Sequence, residues 1–245
     1  SWQQMVTTAL RAAVYAPTGH GVVTQGDARV AADDVKQPVV VATDPPYFGH
    51  IPYAELSDYF YVWLRPALRN AFPDLFATRA APKQGELVAL TTSHGGSKED
   101  AKQYFVDGFT ATFKGLGAAQ SPEAPMLVVY AYKEQNARLD GGGVAPGWEA
   151  ILEAMIAAGL MVVGTWPVRG TGSTRMRAMA SNTLATYVVL VCRPRPSEAP
   201  RVTRSDLTRS LRTELASAVA ALQHAAIAPV DLAQAVIGPG MEIFS

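Results

Sequence analysis

The sequence has 245 residues, of which 49% are hydrophobic and 17% charged, a balance typical of a globular protein and not of a disordered chain. Its 21 basic and 21 acidic residues cancel, which excludes a general attraction to nucleic acid or to an anionic membrane. The one cysteine, Cys192, excludes an internal disulfide, and its apolar surroundings predict a small buried side chain. No apolar segment reaches the roughly 18 residues of a membrane span, and we expect a cytoplasmic protein.

Hydrophobic periodicity predicts an alternation of helices and strands along most of the chain. The strand predicted over 38–44 is continuous in β-branched residues, which is typical of a strand that is buried on both faces. Glycine at the end of a helical pattern marks its C-terminus, and Gly159 has this position. The predicted helices are 2–14, 55–72, 98–116, 147–160 and about 205–225, and the predicted strands are 21–27, 38–44, 124–133, 161–168 and 184–195.

This order predicts an α/β fold with an open, mostly parallel sheet. The last two strands have no helix between them, which predicts an antiparallel strand at the edge of that sheet. A proline-rich stretch after Arg195 reads as a surface linker. We therefore expect one domain over 1–196, followed by a helical tail over 197–245.

The most informative stretch is Asp44-Pro45-Pro46-Tyr47, which follows the predicted strand 38–44. Two consecutive prolines remove two backbone donors and fix φ at both positions, so the strand must end there rigidly. In α/β sheets the ligand lies beyond the carboxyl ends of the strands. A carboxylate, a fixed carbonyl and an aromatic ring suit a planar group with an exocyclic amine: Asp44 and the Pro45 carbonyl accept hydrogen bonds, and Tyr47 stacks on the ring.

Asp-Pro-Pro-Tyr after an apolar strand resembles the catalytic motif of S-adenosylmethionine-dependent amino-methyltransferases. The longer run TDPPYFGHIPYAELSDYFYVWLR, with HGG, GWEAILEAMIAAGL, GTWPV and SNTLATYVVLVCRPR, is similar to a large bacterial family of adenine-specific DNA methylases. The likeness covers most of 38–196. It implies a Rossmann-like methyltransferase sheet, S-adenosylmethionine as cofactor, DNA as partner, and Asp44, Pro45, Pro46 and Tyr47 as catalytic residues.

The sequence departs from a complete enzyme of this kind in one respect. Such enzymes carry a glycine-rich turn after their first strand, and none is present here; Gly141-Gly142-Gly143 comes too late in the chain and reads as a loop. We therefore expect the C-terminal part of a methyltransferase domain, with an incomplete sheet whose first strands are missing. The partner that completes it would be the missing N-terminal part of the same polypeptide or another chain.

Further site residues are implied by the resemblance, each beside a plainer alternative. The cofactor would contact Asp27, Thr43 and Asp44, although Asp27 also suits a turn. The base pocket would include Tyr47, Phe48, His50 and Tyr53, although capping or packing would also explain His50 and Tyr53. DNA phosphates would meet the three arginines near the last loop, although these also suit a solvated basic loop. Those arginines are Arg169, Arg175 and Arg177.

The predicted reaction is methyl transfer from S-adenosylmethionine to the exocyclic amine of a flipped adenine, without a metal. Four scattered histidines and one cysteine make no metal-ligand pattern. One alternative is an amino-methyltransferase of another class, acting on cytosine, RNA or protein glutamine. The other is a non-catalytic fragment that binds nucleic acid or a partner chain.

Overall fold

The structure is a computed structural model. It describes residues 2–15, 19–33, 35–49, 51–130, 146–169, 186–199, 202–224, 236, 238–241 and 243–244. Within these ranges the chain forms five α-helices with defined bounds, one 3-10 helix and four strands, and the described residues among 236–244 are also helical. Their bounds are α1 Trp2–Val14, β1 Ala42–Thr43, α2 Tyr53–Leu68, the 3-10 helix Thr91–His94, α3 Lys98–Ala119, β2 Met126–Tyr130, α4 Pro146–Ala157, β3 Leu160–Arg169, β4 Thr186–Pro194 and α5 Arg204–His224.

The four strands form one mixed sheet in the order β1-β2-β4-β3. Strands β1 and β2 are parallel, whereas β4 is antiparallel to both of its neighbours. The α/β class is confirmed, and three of the four strands run in the same direction, but one detail of the prediction is wrong: the antiparallel strand β4 lies inside the sheet and not at its edge. The reason lies in β4 itself, whose unbroken apolar run suits an interior position, while β3 leaves Trp166 and Val168 exposed at the edge.

The strand before the motif is shorter than predicted. Only Ala42 and Thr43 pair with β2, through Leu127 and Val128, and an isolated bridge joins Val39 to Gln120. Val40 is 70% exposed, so the β-branched run does not form a strand buried on both faces. Within the described residues, β1 is one of the two edge strands of the sheet, opposite β3.

The predicted strand over 21–27 is wrong. Residues 21–27 have no regular secondary structure and 28–30 form a turn, in which the Val30 N–H donates to the Asp27 carbonyl at 3.1 Å. Val22 and Val23 are 88% and 98% exposed, because no apolar surface of the described chain lies against them.

Helices α3 and α4 pack together with the sheet in a single core. Ser97 caps α3 by accepting a hydrogen bond from the Asp100 N–H at 3.1 Å. Phe105, Phe109 and Phe113 recur every fourth residue on the buried side of this helix. The predicted end of α4 at Gly159 is confirmed, because this residue has φ +79°, which favours glycine.

The C-terminal segment also contacts the sheet. Helix α5 agrees with its predicted range, and Met241 packs against the core. Gly238 lies so close to the Thr165 side chain that a Cβ at this position would collide with it. No described helix combines the length and apolarity that a membrane span requires.

Candidate functional site

Side chains from three strands lie at one end of the sheet, the edge formed by the carboxyl ends of the parallel strands β1 and β2. Asp44 follows β1, and Tyr130 is the last residue of the parallel strand β2. Because β4 runs antiparallel, its first residues lie at this edge too, with Val188 opposite Tyr130. Tyr187, the second residue of β4, therefore lies near enough to Tyr47 to affect its phenol electrostatically. This is the edge at which ligands bind in α/β sheets.

The Asp-Pro-Pro-Tyr-Phe segment is attached to the core through one buried phenol. The Tyr130 hydroxyl lies 3.4 Å from the Phe48 N–H, which donates to it, and itself donates to the Gly147 carbonyl at 3.2 Å. The Tyr130 ring also meets the Tyr47 ring edge to face at 5.6 Å. Tyr130 is 0% exposed, so the segment is held by a side chain that is itself fixed.

A cavity of about 370 Å³ opens at this edge. It is lined by the four motif residues, by Tyr53 from the first turn of α2, and by Glu86. The structure thus brings together Asp44, Pro45, Pro46, Tyr47 and Tyr53, as the sequence predicts. The Asp44 residue is exposed while Pro45 is buried, so the carboxylate stands at the mouth of the cavity on a fixed backbone.

Glu86 is a wall of this cavity that sequence reasoning missed. Its Oε1 accepts a hydrogen bond from the Ala54 N–H at 3.1 Å, across 32 residues of sequence. Helix α2 begins after Pro52, which offers no side-chain cap, so Glu86 satisfies one of the free N–H groups of its first turn. The missing local cap is the signal that points to a distant acceptor. Tyr187 was also missed, because nothing in an apolar strand marks it as a site residue.

The two tyrosines of the cavity remain neutral at pH 7. Burial raises the pKa of the Tyr47 phenol most, and the neighbouring Asp44, Tyr187 and Tyr53 raise it further. Burial likewise raises the pKa of Tyr53, which a hydrogen bond from the Tyr47 backbone lowers in part. The described lining holds two carboxylic acids and no lysine or arginine. Such a cavity favours groups that donate hydrogen bonds or carry positive charge.

Phe48 lies outside this cavity, although the resemblance implies that it contacts substrate. Its ring packs edge to face on Phe105 at 5.1 Å and belongs to the periphery of the core. Phe48 therefore anchors the Asp-Pro-Pro-Tyr-Phe segment to the hydrophobic core. Gly49, which follows it, has φ +62° and lies against the Ala89 carbonyl, where a Cβ would approach to 3.0 Å.

Asp27 does not line the cavity either. Its carboxylate pairs with Arg29 two residues away, and it also accepts the Arg29 backbone N–H at 2.9 Å. Hydrogen bonds from the Arg29 side chain and backbone lower the Asp27 pKa to about 2. Thr43, the other residue expected at the cofactor, is half-buried in β1 and pairs with Val128.

Four of the expected substrate contacts lie wholly or partly outside the residues that the structure describes. His50, Arg175 and Arg177 lie outside the described residues. Arg169 ends β3, where its backbone pairs with Thr186 at the same edge as the motif, but its side chain is outside the described part.

A second cavity of about 330 Å³ shares Glu86 with the first. His94 and Tyr104 line it with their rings 4.7 Å apart, and Lys83 at its rim pairs with Asp58 at 2.6 Å. His94 is the last residue of the 3-10 helix. Over the described ranges, no group of three or more metal-ligating side chains occurs.

Comparison with known proteins adds no relative: the chain matches no family model, no curated protein and no solved structure.

Proposed function

We propose that this chain supplies the catalytic part of a DNA adenine amino-methyltransferase. The observation that carries the proposal is the convergence of Asp44, Pro45, Pro46, Tyr47 and Tyr53 on one cavity at the carboxyl end of β1. A chance proline turn would require neither an aromatic wall nor a second tyrosine from another element. The proposal also takes its substrate class from the motif, in which Asp is the first residue.

The cavity suits a flipped base. Inside a duplex the amine of adenine is stacked and paired, so the base must leave the helix to enter a pocket of this kind. The Tyr47 ring would stack on it, and the Asp44 carboxylate and the Pro45 carbonyl would each accept one N–H of the amine. These contacts would hold the nitrogen lone pair in line with the methyl group.

The residues that the resemblance implies for S-adenosylmethionine fit this cofactor only in part. The anionic lining fits a sulfonium and a nearby amine. Asp44, which the resemblance implies as a cofactor contact, lines the cavity, and Thr43 precedes it in β1. Asp27, expected at the cofactor's adenosine, does not line the cavity. When bound, S-adenosylmethionine supplies an electrophilic methyl group.

The chain's own contribution is positioning and electrostatic stabilisation. As the new N–C bond forms, the C–S bond breaks and positive charge develops on the amine nitrogen. Asp44 stabilises this charge, and its carboxylate lies on a backbone that two prolines fix in advance. The surplus proton leaves the amine for solvent. No covalent intermediate with the protein is needed.

The test is transfer of label from S-adenosylmethionine, using the protein of the complete reading frame. Four acceptors are compared at equal concentration: duplex DNA with adenine as its only methylatable base, a cytosine counterpart, RNA of the same sequence, and a glutamine-containing protein. We expect label in the adenine duplex, located on the exocyclic amine. Label in another acceptor alone would transfer the proposal to that substrate class, and no label in any acceptor would contradict it.

The isolated 245-residue chain gives a separate expectation. Because the sequence contains no glycine-rich cofactor turn after an early strand, we expect S-adenosylmethionine to bind it weakly or not at all. Isothermal calorimetry on the chain measures this, and micromolar binding would show that the cofactor site is complete without such a turn.

A further inference from the structure

The short segment 86–89 is fixed on both sides beside the cavity at the motif. The Leu87 side chain fills the space over Gly108 of α3, where a Cβ would collide with it. The Ala89 carbonyl lies against Gly49, which follows the motif segment. Leu87 and Ala89 are both buried, so the backbone that carries Glu86 is held between α3 and the end of the motif segment.

Glu86 reaches from this fixed segment to the start of α2. Its Oε1 accepts the Ala54 N–H at 3.1 Å, in a helix whose preceding residue, Pro52, offers no side-chain cap. A carboxylate at this position is also attracted by the positive end of the helix dipole. The first turn of α2 is therefore tied to a side chain whose own backbone cannot move freely.

The same turn carries Tyr53 into the cavity. Tyr53 is the first residue of α2, and in the described lining it is what this helix supplies, opposite the four motif residues. Burial is the largest cause that raises the pKa of the Tyr53 phenol, and the carboxylates of Asp44 and Glu86 raise it further. Glu86 therefore lies close to the phenol as well as to the helix end, and any shift of the first turn moves Tyr53 directly.

We propose that Glu86 is a positioning residue, which fixes the first turn of α2 and through it the place of Tyr53 relative to the motif. Without this acceptor, the Ala54 N–H turns to solvent and the helix end frays, so the wall of the cavity loses its fixed position. The consequence for methylation rests on the proposed function, in which the flipped base lies between the motif and Tyr53.

A double-mutant cycle on single-turnover methylation tests this role in the protein of the complete reading frame. We expect Glu86→Ala to slow methylation at saturating DNA and cofactor by about tenfold or more, because a displaced wall misplaces the base. Tyr53→Ala should have a similar effect, and the double variant should be no slower than Tyr53→Ala alone, because Glu86 acts through Tyr53. Glu86→Gln keeps an oxygen acceptor and should retain most of the rate.

Glu55→Ala is the matched control. It removes a carboxylate from the same turn of α2, but Glu55 is exposed and does not line the cavity at the motif. Its methylation rate should be nearly unchanged. Equal losses of rate in Glu86→Ala and Glu55→Ala, or losses in Glu86→Ala and Tyr53→Ala that multiply in the double variant, would overturn the inference.

NMR measurements that need no methylation separate this inference from the proposed function. Amide hydrogen exchange reports whether the Ala54 N–H is bonded, and the ring chemical shifts of Tyr53 report its surroundings. We expect faster exchange at Ala54 and shifted Tyr53 resonances in Glu86→Ala, but nearly unchanged values in Glu86→Gln and Glu55→Ala. If these results hold while no acceptor is methylated, the proposed function fails and the positioning of Tyr53 stands. Unchanged exchange and resonances in Glu86→Ala would overturn the inference, whatever the methylation assay shows.

Discussion

Asp44→Ala separates catalysis from folding because the Asp44 side chain does little for the structure. The residue is exposed, and among the described residues its carboxylate makes no hydrogen bond or ion pair. Its removal should therefore change the free energy of unfolding by no more than about 0.5 kcal/mol. The chemical step should slow by about 10²-fold or more, equivalent to about 2.7 kcal/mol, because a positioned charge is lost where positive charge develops.

Single-turnover methylation of an adenine duplex measures this, beside separate titrations of cofactor and DNA with the protein of the complete reading frame. We expect Asp44→Ala to bind both nearly as well as the unchanged protein, because the lost interaction strengthens only as the amine becomes cationic. Asp44→Asn keeps an oxygen acceptor without the charge and should give an intermediate rate. Full activity in Asp44→Ala would refute the reasoning and leave Asp44-Pro45-Pro46-Tyr47 as a structural turn.

Three further predictions concern neighbouring residues. Tyr47→Ala should weaken DNA binding by about 1 to 3 kcal/mol, because stacking holds the base in ground and transition states alike, while Tyr47→Phe should be mild; DNA titration measures both. Glu86→Ala should lower the free energy of unfolding by about 1 kcal/mol, because the Ala54 N–H loses its acceptor, and Glu86→Gln should restore most of it in denaturant titrations. The Asp27 carboxyl should titrate at about 2 by NMR, so the stability it contributes is present above pH about 4 and falls away toward pH 2; an unshifted midpoint would contradict the Arg29 pair.

The sequence predicts the elements whose signal is local. The aromatic stripe of α3, the glycine that ends α4 and the apolar run of β2 each follow from periodicity or from a single residue's backbone preference. The order of β3 and β4 is different in kind. Both runs are apolar, and the interior place of β4 depends on what each strand packs against, which local periodicity does not contain. The strand predicted over 21–27 is wrong for the same reason, because its two valines have no apolar surface to pack against.

The residues of the candidate site also differ in whether a local sequence signal predicts them. The four motif residues could be predicted to lie together because they are consecutive in the sequence and their prolines end the strand, and all four line one cavity. Tertiary structure alone brings Glu86 from a loop into the cavity lining and brings Tyr187 from an antiparallel strand near Tyr47. One local feature does point to an acceptor such as Glu86. A helix that begins after proline has no Ser, Thr, Asp or Asn cap, so the free N–H groups of its first turn need an acceptor from elsewhere in the chain. Since that helix also carries Tyr53 into the cavity, the acceptor that completes its first turn is expected at the site itself, and Glu86 is found there.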